Sequence, residues 1–195
     1  VRAHEAAKNK IQLIIGSEFN LSDGPRIVIL PTTRIAYGCL TKAITRARMG
    51  AKKGTYAIDT LGLAPMDECL AILLPAIPAV FESSAAQRLW INNQLNYLRR
   101  LAPIFANRLW IAAELLADYD DTARLAALRE LSAASGFPLV AAGDVHMHVR
   151  SRRALQDTLS AIRLGVPLTE AGYALYANGE RHLRSLTALE ALYPP

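Results

Sequence analysis

The sequence predicts an α/β domain with mainly parallel strands, and three observations carry that reading. Apolar runs of strand length occur five times, stretches with apolar residues at helical spacing lie between them, and turn residues punctuate the boundaries. Buried parallel strands read as near-continuous Val/Ile/Leu/Ala runs rather than strict alternation, and these runs have that character.

Val1–Asn9 has helical character, and Ile11–Ile15 is a β-rich run ending in Gly16-Ser17-Glu18. Arg26–Leu30 is a second short run, entered through the turn signal Ser22-Asp23-Gly24-Pro25. Tyr37, Leu40, Ala43, Ile44 and Ala47 fall at helical spacing up to Gly50, a C-terminal stop. Lys52–Met66 reads as a loop, and Leu70–Leu74 as a third strand closed by Pro75 and Pro78. Ala85–Leu101 forms an amphipathic helix with Leu89, Trp90, Leu95 and Leu98 on its apolar side. Leu109–Leu116 is the fourth strand, although its Ala and Leu content also suits a helix. Asp121 is expected to cap a helix over Asp121–Ser135 that Gly136 ends. Phe137–Ala142 is the fifth strand and Ser151–Leu164 the helix after it.

The chain has 195 residues, 52% hydrophobic and 20% charged, enough to bury a core. Its longest apolar block, Leu70–Val80, carries two prolines and falls short of the roughly 18 to 20 residues of a spanning helix, so a soluble chain without a membrane partner is expected. The first residues lack an initiator Met and a signal core, and are read as the middle of a helix inside a larger gene product. Cys39 and Cys69 show no partner spacing, which argues against a disulfide framework or zinc knuckle and for a reducing cytoplasm. The net charge of +5 is compatible with nucleic acid or phosphorylated ligands.

The most informative stretch is Gly143-Asp144-Val145-His146-Met147-His148, directly after a strand. The C-terminal ends of parallel strands form the functional face of α/β folds. Asp144 and His146, two apart at a strand tip, project to the same side, and carboxylate beside imidazole makes a half-site for zinc or manganese. The alternative is that Asp144 caps the next helix and His146 is a hydrogen-bonded turn residue. His148 points the other way. Glu18 ends the first strand and could join the same cluster, or be a solvated loop acid; Glu114, near the end of the fourth strand, is a further acid on that face. His4 and His182 are placed far from the strand tips.

Two basic stretches stand out. Arg34 to Lys53 holds six cations and no acid, read as a solvated helix face or a phosphate contact. Arg150, Arg152 and Arg153 sit beside the candidate site, where guanidinium forks suit phosphate or DNA. No Walker A, GxGxxG, GxSxG or HExxH motif occurs, and a paired Asp-x-Asp for two magnesium ions is missing; Asp118, Asp120 and Asp121 read as a loop or cap. This segment cannot polymerise nucleotides by itself.

The run Gly143–Arg153, continuing through Leu155-Gln156-Asp157-Thr158-Leu159, resembles the PHP (polymerase and histidinol phosphatase) domain of bacterial C-family DNA polymerases, in particular their error-prone branch. Ala6-Ala7-Lys8 leading into Ile14–Phe19, Tyr37-Gly38-Cys39-Leu40 and Asn178–Arg184 agree with it. The resemblance implies a distorted (β/α)₇ barrel with a polynuclear metal site at the strand ends, here lacking its first strand. It carries over Glu18, Asp144 and His146 as metal ligands, with Zn²⁺ or Mn²⁺ at a partial or vestigial site and Mg²⁺ for the parent polymerase. The opening His-x-His and Asp-His motifs would lie upstream of Val1. The mid-domain histidine falls at Arg26, and the cysteine after the third strand falls in the Pro75-Ala76 region, since Cys69 lies too early.

The resemblance further implies a domain over residues 1–165 and a linker over 166–195 toward the polymerase palm. The parent would be a DNA-directed DNA polymerase of translesion synthesis and damage-induced mutagenesis, with the rest of its chain and DNA as partners. Two other classes remain: a stand-alone metal-dependent phosphoesterase, and a non-catalytic interaction module. A barrel without its first strand exposes a strand edge, through which the fragment is expected to dimerise or aggregate.

Overall fold

The computed structural model describes residues 2–8, 10–78, 80–117 and 120–193. Its centre is a five-stranded mixed sheet of β1 (Ser17–Asn20), β2 (Arg26–Pro31), β3 (Cys69–Leu74), β4 (Leu109–Glu114) and β5 (Leu139–Ala142), arranged in chain order. The β1–β2 and β2–β3 pairings are antiparallel, and β3–β4 and β4–β5 are parallel. Parallel pairing therefore covers only half of the sheet. The β1–β2 case follows from length: five residues join these strands, whereas a parallel return needs a crossover of about a dozen or more.

The first strand also lies later than its apolar run suggested. Ile11–Ile15 stays outside the sheet, with Ile11 and Ile14 exposed, and pairing begins at Ser17. Apolar composition is insufficient without a neighbour to satisfy the backbone, and Ser17–Asn20 has one in β2. The approach to β2 is close at Gly16, where a Cβ would lie 2.8 Å from the Ile29 carbonyl oxygen.

The strand register sorts side chains onto two faces. Phe19, Ile27, Ile29, Ala71, Leu73, Leu109 and Ile111 share one face and are buried. This face is covered by α2 (Arg34–Met49), α3 (Ser84–Phe105) and α4 (Asp121–Ser135). The first contributes Ala36, Leu40, Ala43 and Ala47, and the second Trp90, Ile91, Leu98, Leu101 and Phe105. Leu89 turns outward at 63% exposure, and Gln94 takes a buried position instead. The opposite face carries Val28, Leu30, Leu70, Ile72, Trp110 and Val140, all only half-buried.

Helix ends follow local chemistry. The hydroxyl of Thr33 accepts from Ala36 N at 3.1 Å, and that of Ser83 from Ala86 N at 3.1 Å. The cap of α4 is Asp120, which accepts from Ala123 N at 3.0 Å. Asp121, expected in that role, lies inside the helix and accepts from Ala117 N instead, while Asp118 falls outside the described residues. Gly136 ends α4 at φ 75°, the left-handed conformation that glycine tolerates. After β5, a 3-10 turn at Arg150–Arg152 leads into α5 (Arg153–Leu164).

Two further helices complete the set, α1 (Arg2–Ala7) and α6 (Leu186–Leu192). The described part of 166–195 does not extend away from the sheet. The Tyr193 hydroxyl lies 2.8 Å from the Ala113 carbonyl and accepts from Leu115 N at 3.0 Å. The Asn178 side chain donates to the Leu116 carbonyl at 2.7 Å. A parallel bridge pairs Met147 with His182, which brings His182 beside the Asp-x-His turn rather than far from it. No helix among the described residues is long and apolar enough to cross a membrane.

Candidate functional site

The charged groups of the open sheet face gather at one end of the strands. Because β2 runs against β3, its first residue, Arg26, lies beside Leu74 at the end where β3 finishes. Glu114 is the last residue of β4, and Asp144 follows β5 by two positions. Glu18 faces Val28 in the middle of a strand rather than at a tip, one diagonal step from Arg26.

Arg26 donates to Glu18 Oε1 at 3.0 Å, and its second terminal nitrogen lies 4.0 Å from Glu114 Oε2. Asp144 adopts φ 39°, uncommon for a residue with a side chain, as the chain turns off β5. Its carboxylate accepts from Arg181 through one oxygen and lies 3.2 Å from His146 Nε2 through the other. That same imidazole nitrogen is 2.8 Å from the Tyr176 hydroxyl. The Arg181 guanidinium stacks 4.4 Å over the Tyr176 ring. Arg26, Glu114 and Arg181 line a cleft of about 170 Å³ with Pro75, Ala76 and Ala112.

Burial shifts Glu114 toward its protonated form. Desolvation raises its pKa, the charge of Asp144 adds to this, and Arg26 and Arg181 pull the other way. Its Oε1 atom is buried without a hydrogen-bond partner. Burial likewise raises the Tyr176 phenol, with Asp144 as the next cause.

The three residues carried over as metal ligands, Glu18, Asp144 and His146, each have protein partners in this structure. Glu18 is held by Arg26, Asp144 by Arg181, and the Nε2 of His146 is occupied by Asp144 and Tyr176. Among the described residues, no group of three or more His, Cys, Asp or Glu is placed to hold a metal ion. A guanidinium against a carboxylate also repels an approaching cation. Chemically the cluster is an interleaved set of acids and arginines that ties β1, β2, β4, the turn after β5 and the 176–184 segment together.

The basic cluster beside it is largely neutralised. Arg150 pairs with Glu180 at 2.6 Å, and Arg153 with Asp157 at 3.5 Å while donating to the Tyr176 carbonyl at 3.0 Å. Arg152 lines a separate cleft with His146, His148 and Leu155. Sequence reasoning singled out Asp144, His146, Glu18, Glu114 and Arg26, but gave no part to Arg181, Tyr176 or Glu180. The signal for Glu180 and Arg181 is the density of Glu, Arg and His in Gly179-Glu180-Arg181-His182-Leu183-Arg184, part of the Asn178–Arg184 run that agrees with the resemblance, in a segment read as a linker; Tyr176 lies outside that run.

No protein-family model matches the chain. The chain is 47% identical over 197 residues to an error-prone DNA polymerase of Methylococcus capsulatus, covering all of this chain and 18% of that protein. It is 44% identical over 195 residues to an error-prone DNA polymerase of Pseudomonas fluorescens, again 100% of this chain and 18% of the relative. A third, from an Azoarcus species, is 45% identical over 95% of this chain and 17% of the relative. The chain thus corresponds to under a fifth of the length of the curated relatives it matches, which are error-prone DNA polymerases.

Proposed function

We propose that the chain is a segment of an error-prone, DNA-directed DNA polymerase that acts in translesion synthesis and damage-induced mutagenesis. The observation that carries this is identity of 43–47% across the whole chain to polymerases of that name. Within the parent, this segment is the PHP-type domain, with a distorted barrel as its complete architecture, and its role is scaffolding. Support for a scaffold over a working phosphoesterase comes from Arg26 and Arg181, which occupy the carboxylates that metal would need. The cluster is then a vestige of a metal site in which arginines supply the positive charge. The free outer edge of β1 is where a second copy of the isolated segment would pair.

Two measurements test this. The reading frame beyond Pro195 is expected to encode a polymerase palm with paired aspartates; a stop codon or an unrelated domain there overturns the polymerase reading. Metal analysis of the purified protein is expected to find no stoichiometric zinc or manganese, with melting unchanged by a chelator. Stoichiometric metal lost in Asp144→Ala, together with phosphoesterase turnover, would overturn the scaffold.

A further inference from the structure

The cations of this protein fall into two groups with different surroundings. Around the strand ends, Arg26, Arg150, Arg153, Arg181 and Arg184 are each paired with a carboxylate. On α2 and the turn after it, Arg34, Lys42, Arg48, Lys52 and Lys53 are exposed, and none has a carboxylate partner among the described residues. Arg46, on the same helix, donates to the Ala64 carbonyl. The protein holds 22 Lys and Arg against 17 Asp and Glu, and the interval from Arg34 to Lys53 contains six of those cations and no acid. The other sixteen cations are offset by the 17 acids, so the net positive charge of the chain is accounted for by this one interval.

Helix stability does not account for this pattern. Arg34 stands in the first turn, where the helix dipole favours an acid, and the first turn has none. Lys42 and Arg46, four apart, repel each other where a Glu–Lys pair would stabilise. Arg46 and Arg48 in the last turn do suit the dipole, but Lys52 and Lys53 lie beyond it. The buried face of α2, with Ala36, Leu40, Ala43 and Ala47, anchors the helix on the core and leaves its cations toward solvent. From Arg34 to Arg48 the helical rise spans about 21 Å, along which one strand of a duplex presents about six phosphates.

We infer that the cationic face of α2 and Lys52–Lys53 docks the phosphate backbone of DNA, and that Arg150–Arg153 does not. Double-stranded DNA is the occupant favoured by charge complementarity and by the naming of the relatives as DNA polymerases. In the latter respect the inference rests on the polymerase reading. The contact is to backbone and carries no sequence preference.

The test is fluorescence anisotropy of the 195-residue protein with a labelled 20-base-pair duplex. Binding at 200 mM salt is expected to be about a hundredfold weaker than at 50 mM, the dependence for about four neutralised phosphates. The triple variant Lys42→Glu/Arg48→Glu/Lys53→Glu, checked for folding by circular dichroism, should lose at least tenfold in affinity and most of the salt dependence. Arg152→Glu should bind within about twofold of the unaltered protein. No duplex binding at 50 mM salt, or loss in Arg152→Glu with the triple variant unaffected, overturns the inference. So does displacement by polyglutamate as effective as by unlabelled duplex, which would mark an acidic polypeptide as the partner. A missing palm downstream, with duplex binding still lost in the triple variant, would sink the polymerase reading and leave this surface standing.

Discussion

The two faces of the sheet are made from the same strands, yet they solve different problems. Ile27, Ile29, Ala71 and Leu73 on the helix-covered face are all 0% exposed. One residue along each strand, Val28, Leu30, Leu70 and Ile72 are half-buried, and the charged residues Glu18, Arg26 and Glu114 share their side. The period of two lets one strand serve packing and electrostatics at once. The covered face fixes where the strands lie, and the open face uses those positions to bring distant charges into register.

The comparison breaks most visibly if the covered face is cut. Phe105→Ala removes a fully buried ring between helix and sheet and should destabilise by about 3–5 kcal/mol, read from chemical denaturation. A loss under about 1 kcal/mol would mean that the helices do not seal this face. On the charged side, Arg181→Ala leaves the Asp144 carboxylate without its guanidinium. The pair is mostly buried, at 17% and 19% side-chain exposure, and about 1.5–3 kcal/mol of stability should go with it. Arg181→Lys should recover only part of this, because an ammonium cannot stack on Tyr176 as the planar fork does.

Glu114→Gln sharpens the electrostatic half. Burial raises the folded pKa of Glu114 above its unfolded value, so the folded state holds the proton more tightly. Stability from this group is therefore present at low pH and declines as pH rises from the ordinary glutamate range through the raised pKa. Gln removes that decline: the variant should melt higher than the unaltered protein at pH 7, and the gap should close near pH 4. An unchanged gap across that range would show that Glu114 is not the titrating group. The smallest effect is in the thiols. Cys69 is buried, its pKa raised first by desolvation, and Cys39 is only partly buried. A thiol reagent should label Cys39 well before Cys69, and equal rates would mean that β3 opens readily.

Much of this architecture could be read from the chain. β2 to β5 and the four long helices lie within a few residues of their predicted places, because their apolar runs are long and their ends carry Thr33, Ser83, Gly50 and Gly136. The first strand was displaced because Ile11–Ile15 looks like a strand, yet pairing depends on a partner that composition does not show. The antiparallel turn was recoverable from the five residues between Asn20 and Arg26, a count that the apolar reading passed over. At the site, Asp144 and His146 were visible as neighbours in sequence. Arg181 and Tyr176 were not, since they reach Asp144 and His146 across 37 and 30 positions, beside an isolated bridge at Met147 and His182.

The strand order also bears on how the molecule is assembled. Each strand from β2 onward pairs with the one before it in sequence, so every partner has already been synthesised when the next strand emerges. The sheet can grow outward by addition at one edge, without inserting a late strand between two early ones. The closing contacts come last: Arg181 reaches Asp144 and Tyr193 reaches the ends of β4 only after 176–193 has left the ribosome. Until then β5, an edge strand paired with β4 alone, also lacks the Tyr193 hydroxyl on its Ala142 carbonyl, and an edge so exposed is open to mispairing.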